Sequence, residues 1–176
     1  HLNLALAACV LLPLGAHAQV VISDTLTGAA SVYNQWNSLN GACLTAGTAA
    51  YSATNTIPGC TALKASGGYY AGKTLIGGYN GTFPDPVGYG ALRLTNGDNL
   101  TNGSNGTNQT GAVITSQGFP SNQGVQVTFT TKTYGGNGYG NSSGQASGAD
   151  GITFFMSDAS TPATTAGGLG GSLGYS

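Results

Sequence analysis

Charged residues are scarce in this sequence. Only 5% of its 176 residues are charged, four of them Lys or Arg and five of them Asp, which leaves a net charge of −1. Glutamate is absent, and the two histidines, His1 and His17, both lie near the amino terminus. A chain this neutral has no basic patch for nucleic acid and no field that could steer an anionic partner. Nucleic acid is therefore not an expected partner, and solubility must depend on Asn, Thr, Ser and Gly.

Long hydrophobic runs are also scarce, and the longest occupies residues 2–14. The sequence Ala-His-Ala follows it, with the small residues that signal peptidase recognises. A membrane span would need about 20 apolar residues, which this run does not reach. We predict that residues 1–18 are a signal peptide lacking its basic start, and that cleavage leaves Gln19 as the first residue. Residues 19–176 then form one secreted or cell-surface domain, with no membrane span in the mature chain.

Cysteine is limited to three residues, and Cys9 leaves with the signal peptide. Cys43 and Cys60 remain as an even pair in an exported protein, so a disulfide between them is predicted. A metal or redox site is not expected here, because CxxC spacing and a nearby histidine are missing. Closing a loop of about 18 residues would stabilise the fold by roughly 3 kcal/mol.

Helical periodicity is missing, whereas glycine is frequent, with 31 residues and repeated Asn-Gly turn signals. Residues 125–134, VQVTFTTKTY, alternate between two faces, as a strand does. Residues 152–157, ITFFMS, are apolar on both faces, which predicts a central strand covered on both sides. Shorter strands are predicted at residues 91–95 (ALRLT) and 111–116 (GAVITS). Short strands separated by glycine-rich turns indicate an all-β sandwich.

Two polar stretches separate these strands and are predicted to be loops. Residues 96–110, NGDNLTNGSNGTNQT, have low complexity and carry several Asn-x-Ser/Thr sequons, which we interpret as turn residues. Residues 135–148, GGNGYGNSSGQASG, are predicted to form a second, flexible loop that ends just before Asp150.

Three segments follow one another along the chain: VQVTFTTKTY, ADGITFF and GGLGGSLGY. This series resembles the L-type (legume-type) lectin domain. In that family a strand with a TFTF-like pattern precedes ADGIAFF, and a GGGYLG-like turn follows. The resemblance covers about residues 91–176 and extends loosely to SDTLTG at residues 23–28, while the cysteine-bearing region is more similar to secreted bacterial versions of the domain. It implies an all-β, concanavalin A-like jelly-roll sandwich of antiparallel sheets, incomplete at its carboxyl end.

The resemblance assigns roles to three residues. Asp150 matches the family aspartate that accepts hydrogen bonds from two sugar hydroxyls, and its peptide bond to Ala149 would be cis. Gly171 matches the glycine whose backbone N–H donates to the sugar, and Gly170 keeps that turn open. The chemistry suits a neutral sugar, because one fixed carboxylate can accept from two vicinal hydroxyls through charge-assisted bonds. The alternatives are an ordinary Asp-Gly turn before a strand for Asp150, and a simple hairpin turn for Gly171.

The same resemblance implies calcium, with a transition metal as a possible second ion. The metal ligands and the asparagine that completes the sugar site would lie beyond Ser176, so both ends of the chain are expected to be those of a fragment. No metal ligands are assigned within it.

Glycan binding by a secreted or surface-exposed lectin-like domain, as part of a bacterial adhesin, is the predicted function, and catalysis is not expected. One alternative is a glycoside hydrolase on the same jelly-roll, but hydrolysis needs two flanking carboxylates, which would have to lie beyond the fragment. Another is a structural adhesin domain without a small ligand.

Trp36 and Phe83 are interpreted as core residues rather than sugar platforms. Asp158 is expected to cap the loop that follows the strand.

Overall fold

A computed structural model describes residues 22–33, 35–64, 78–95, 110–122, 124–133, 139–140, 146–147 and 151–167. Within these ranges the chain forms six short strands, one α-helix and one 3-10 turn. The strands pair into three antiparallel sheets of two strands each. None of the helices in these ranges has the length and hydropathy that crossing a membrane requires.

The first sheet joins two distant parts of the chain. Strand β1, Trp36–Leu39, pairs with strand β4, Ala112–Thr115, so that Trp36 lies opposite Thr115 and Leu39 opposite Ala112. The pairing extends beyond the strand ends, because the Ser116 amide donates to the Gln35 carbonyl at 2.8 Å. The apolar, β-branched sequence of β4 suits a strand, and its prediction at residues 111–116 is confirmed.

The core lies around the second sheet. Strand β2, Cys43–Leu44, pairs with strand β3, Leu92–Arg93, and helix α1, Cys60–Lys64, packs beside β2. Every residue from position 42 to position 47 is buried. Ile57 and Cys60 complete this core, each at most 1% exposed. Strand β3 is shorter than the predicted segment 91–95 but lies within it.

The predicted disulfide between Cys43 and Cys60 is confirmed. It links β2 to the first residue of α1, with the two Cα atoms 5.0 Å apart. Both cysteines are fully buried, and Leu63 and Phe83 pack against them. The cross-link therefore lies at the centre of the core rather than at its edge.

Two glycines allow the backbone to cross closely beside the disulfide. A Cβ atom on Gly59 would lie 2.1 Å from the carbonyl carbon of Gly47, closer than any real contact. This approach brings the Leu44 amide to the Pro58 carbonyl at 2.9 Å and the Gly59 amide to the Ala49 carbonyl at 2.8 Å. Glycine is needed at position 59 because any side chain would separate these two segments.

Two short strands lie within the second predicted loop. Strand β5, Tyr139–Gly140, pairs with strand β6, Ala146–Ser147. The segment 135–148, predicted as a flexible loop, is thus paired at these four positions, and its other residues lie outside the described ranges. Most of the first predicted loop, residues 96–109, lies outside the described residues.

Two predicted strands are not paired in the structure. The described residues 124–133 and 151–158 run without helix, bend, turn or strand pairing. Large apolar side chains on both are exposed: Val125, Val127, Phe129, Ile152, Phe154 and Met156. The prediction that 152–157 is a central strand covered on both sides is wrong here. The physical reason is that a central strand needs a neighbour on each edge, and each sheet of the described chain has only two strands.

The fold class is therefore confirmed at a coarse level. The described chain is mostly β among its regular elements, with small antiparallel sheets and little helix. The finer prediction of a jelly-roll sandwich of stacked sheets stays a prediction.

Candidate functional site

The three predicted sugar-binding residues, Asp150, Gly170 and Gly171, lie outside the described residues, as does the Ala149–Asp150 peptide. The roles that the motif gives them stay predictions. The described chain resumes directly after Asp150, at Gly151, whose φ is 155°.

Asp158, which follows the ITFFMS segment, caps a turn as expected. Its Oδ1 atom accepts hydrogen bonds from the backbone N–H and from the hydroxyl of Ser160, both at 2.8 Å. These bonds favour the charged carboxylate, so the Ser160 backbone N–H, and then its hydroxyl, lower the pKa of Asp158 below its ordinary value. The Thr161 amide closes the turn by donating to the Asp158 carbonyl at 3.0 Å.

A second candidate site is the segment 78–90, which we name the aromatic loop. It leads into β3 and begins with a 3-10 turn, Tyr79–Gly81. Asp85 holds its two halves together, since Asp85 Oδ1 accepts from the Tyr79 amide at 2.5 Å. Asp85 is only 6% exposed, and its own amide donates to the Thr45 carbonyl beside β2 at 3.0 Å. The carboxylate therefore fixes the loop from the core side.

Glycine is required where this loop begins. Gly78 has φ 98° and ψ 163°, a conformation that side chains disfavour. A Cβ atom there would lie 2.5 Å from the Thr82 carbonyl oxygen and 3.1 Å from Asp85 Oδ1. Gly78 thus lets the loop close tightly around the Asp85 carboxylate.

The far half of the aromatic loop is tied to the amino-terminal segment of the described chain. The Thr27 carbonyl accepts from the amides of Gly88 and Gly90, at 2.9 and 3.2 Å. Between them, Tyr89 closes a turn by donating its amide to the Pro86 carbonyl at 2.9 Å. The Ala91 amide then donates to Thr45 Oγ1 at 2.8 Å, which joins the end of the loop to the core.

The segment that contains Thr27 is organised by hydrogen bonds to the half-buried Asp24 carboxylate. Asp24 Oδ1 accepts from the Leu26 amide at 2.8 Å. Asp24 Oδ2 accepts from the Val32 amide at 3.0 Å, the Tyr33 amide at 3.2 Å and the Ser31 hydroxyl. One carboxylate thus organises the turn 24–33, and this turn supports the aromatic loop through Thr27.

Phe83 forms the inner side of the aromatic loop. Its ring packs against the Cys43–Cys60 disulfide, and the Arg93 guanidinium carbon lies 5.0 Å from the ring centroid. Arg93 is buried, so this cation–π contact is shielded from water. Phe83 is thus half-buried and packs against the core without being part of its buried centre. Trp36, on β1, is also half-buried and packs edge-on against Tyr33, with ring centroids 5.6 Å apart.

The outer side of the loop carries a pair of exposed rings. Tyr79 and Tyr89 have ring centroids 4.5 Å apart and an interplanar angle of 41°. Tyr79 is 43% exposed and Tyr89 61% exposed, and Val87 between them in sequence is also exposed. Sequence reasoning missed this pair, because neither residue lies in a strand pattern. The only sequence signal that one loop carries both tyrosines is its turn residues, Asn80-Gly81 and Pro86 through Gly88.

The carboxylates that the structure describes have structural roles. Asp24, Asp85 and Asp158 each accept hydrogen bonds from nearby backbone amides. No group of three or more His, Cys, Asp or Glu side chains that could hold a metal ion occurs among the described residues. These residues therefore do not fit a calcium site, and calcium stays a prediction tied to the motif.

Comparison of the chain with protein-family models, curated proteins and solved structures finds no match. The lectin resemblance therefore depends on the ordered motifs of the sequence alone.

Proposed function

We propose that this chain binds neutral glycans as part of a secreted or surface-exposed adhesin, with Asp150 as the principal ligand to sugar hydroxyls. One observation carries the proposal: the ordered series VQVTFTTKTY, ADGITFF and GGLGGSLGY in a chain with almost no charge. A carboxylate and a glycine turn supply the acceptor and the backbone donors that a sugar needs, and they recognise it by geometry rather than by charge.

The described structure supports this proposal in two ways. Its regular elements are mostly β, and its buried disulfide suits an exported protein. The fold that goes with the proposal is a concanavalin A-like jelly-roll.

The test is a glycan array probed with the complete secreted protein, wild type against Asp150→Asn. Asparagine keeps the size of the side chain but loses the charge and half of the acceptor capacity. Each charge-assisted bond contributes roughly 1.5–3 kcal/mol, so losing two should weaken binding at least about tenfold. Asp158→Asn is the matched control, because it removes a carboxylate from the same part of the sequence whose described role is to cap a turn.

If Asp150→Asn binds glycans as well as wild type does, Asp150 is only a turn residue and the proposal is refuted. Repeating the array with a chelator tests the calcium prediction separately from the prediction that Asp150 binds the sugar. Lower binding in chelator supports calcium. Unchanged binding in chelator, combined with loss in Asp150→Asn, removes calcium and keeps the sugar site.

A further inference from the structure

The outer rings of the aromatic loop belong to neither the ADGITFF nor the GGLGGSLGY motif. We propose that Tyr79 and Tyr89 form a second glycan contact, in which their exposed faces stack on the C–H face of a neutral hexopyranose ring. The inference takes its ligand class from the proposed function, and the residues that carry it are independent of Asp150. Exposed aromatic patches held together on a surface mark interaction sites more often than isolated exposed residues do.

The ring pair offers a small apolar surface rather than one flat platform, because the two ring planes are inclined by 41°. With centroids 4.5 Å apart, the rings touch each other and leave no slot that an inserted side chain, such as a proline ring, could enter. Both side chains remain partly open to solvent, Tyr79 at 43% and Tyr89 at 61% exposure. A sugar ring offers a flat apolar face of similar size, with its hydroxyls directed around the rim.

The loop fixes the backbone of both tyrosines before a ligand arrives. Tyr79 is fixed through its backbone amide by the buried Asp85 carboxylate, and Tyr89 is fixed through its amide at the Pro86 carbonyl. The flanking Gly88 and Gly90 amides are tied to Thr27. Because tyrosine has few rotatable bonds and the backbone is already fixed, little conformational entropy remains to be lost on binding.

The charges of the loop select a neutral ligand. Asp85 is the one charged residue between positions 78 and 90, and it is buried with its carboxylate directed to a backbone amide. An ionic ligand would therefore find no counter-charge on the loop. The polar groups that a sugar's hydroxyls can use are the two tyrosine hydroxyls and the exposed Asn80 side chain.

The experiment measures binding of the complete secreted protein to an array of neutral mannose, glucose and galactose oligosaccharides. Tyr79→Ala and Tyr89→Ala should each weaken binding at least about fivefold, since a stacked aromatic contact is lost while the backbone amides remain. Tyr79→Phe and Tyr89→Phe should lose less than the alanine variants, because the ring is kept. Tyr51→Ala is the matched control, a 62% exposed tyrosine outside the aromatic loop, and should bind as wild type does. Thermal unfolding of each variant shows whether the fold is kept.

Each outcome decides the inference. Wild-type binding by both alanine variants overturns it, and if Asp150→Asn still loses binding the proposed function survives alone. Equal losses in the alanine and phenylalanine variants overturn ring stacking in favour of hydroxyl contacts. Loss in the alanine variants with normal binding by Asp150→Asn supports the aromatic loop and refutes the Asp150 site. If the wild-type protein binds no neutral glycan on the array, or binds a proline-rich peptide instead, the inference is overturned.

Discussion

Reduction of the Cys43–Cys60 disulfide should destabilise the protein by about 3 kcal/mol, because the bond closes a loop with a sequence separation of 17 residues. In the chain-entropy model the cross-link acts mainly on the unfolded chain, whose ends it keeps together. Globular domains have a net stability of about 5–15 kcal/mol, so this loss is a large part of the total.

The position of the disulfide adds a second contribution. Both cysteines are fully buried and contact Leu63 and Phe83. Replacing both by alanine removes the cross-link and also the buried sulfur atoms, so Cys43→Ala/Cys60→Ala should be less stable than reduced wild type. The difference between these two proteins reports mainly on packing, because reduction breaks the cross-link but keeps both sulfur atoms in the core, whereas alanine removes them.

The assay is equilibrium unfolding in urea of three samples: oxidised wild type, wild type with reductant, and the double alanine variant. The midpoint should fall in that order, and thiol counting on denatured, unreduced protein should find neither Cys43 nor Cys60 free. Two free thiols, or a reduced protein within about 1 kcal/mol of the oxidised one, would refute the reasoning.

Two further predictions follow from single contacts. Gly59→Ala should destabilise by at least about 2 kcal/mol, because the new Cβ would lie 2.1 Å from the Gly47 backbone; Gly118→Ala, which would meet only the Ala159 side chain at 3.0 Å, should cost less in the same urea assay. Ser160→Ala should raise the pKa of Asp158 part of the way towards its ordinary value, because the backbone N–H remains and the hydroxyl is lost. Since the folded pKa is lowered, the stabilisation by this cap exists above the ordinary pKa and is lost as pH falls through the folded pKa. Carboxyl NMR titration measures the shift, and an unchanged pKa would contradict the role of the hydroxyl.

The features predicted correctly from sequence are those that local chemistry determines. Two cysteines behind a signal-like segment have one possible disulfide, and Asp158 before a Ser-Thr turn has amides within reach. Strand β4 has a β-branched, apolar sequence that suits a strand in most contexts. By contrast, β1 contains Asn37 and Ser38 and lacks alternation, so it becomes a strand only because β4 pairs with it.

The aromatic pair depends on long-range contacts that no local pattern contains. Tyr79 and Tyr89 meet because Asp85 draws the loop to Thr45, while Thr27 holds the other half. Thr27 and Thr45 lie far from the loop in sequence, and their carbonyls are generic acceptors that any residue could supply. A pattern search can therefore recognise the turns of this loop but not which side chains they bring together.

The two exposed segments also show that long-range contacts decide the structure. The alternation of residues 125–134 and the apolar run of 152–157 favour a β-strand whose apolar side chains are buried. Such a segment forms a paired strand only when the edge of another strand supplies its backbone hydrogen bonds. In the described chain β1 and β4 pair with each other, as do β2 and β3, and no described strand pairs with these two segments. The Val125 and Phe129 side chains on one segment and Ile152 and Met156 on the other consequently remain open to solvent. Hydrophobic pattern predicts which residues favour burial, whereas strand pairing decides whether that burial is achieved.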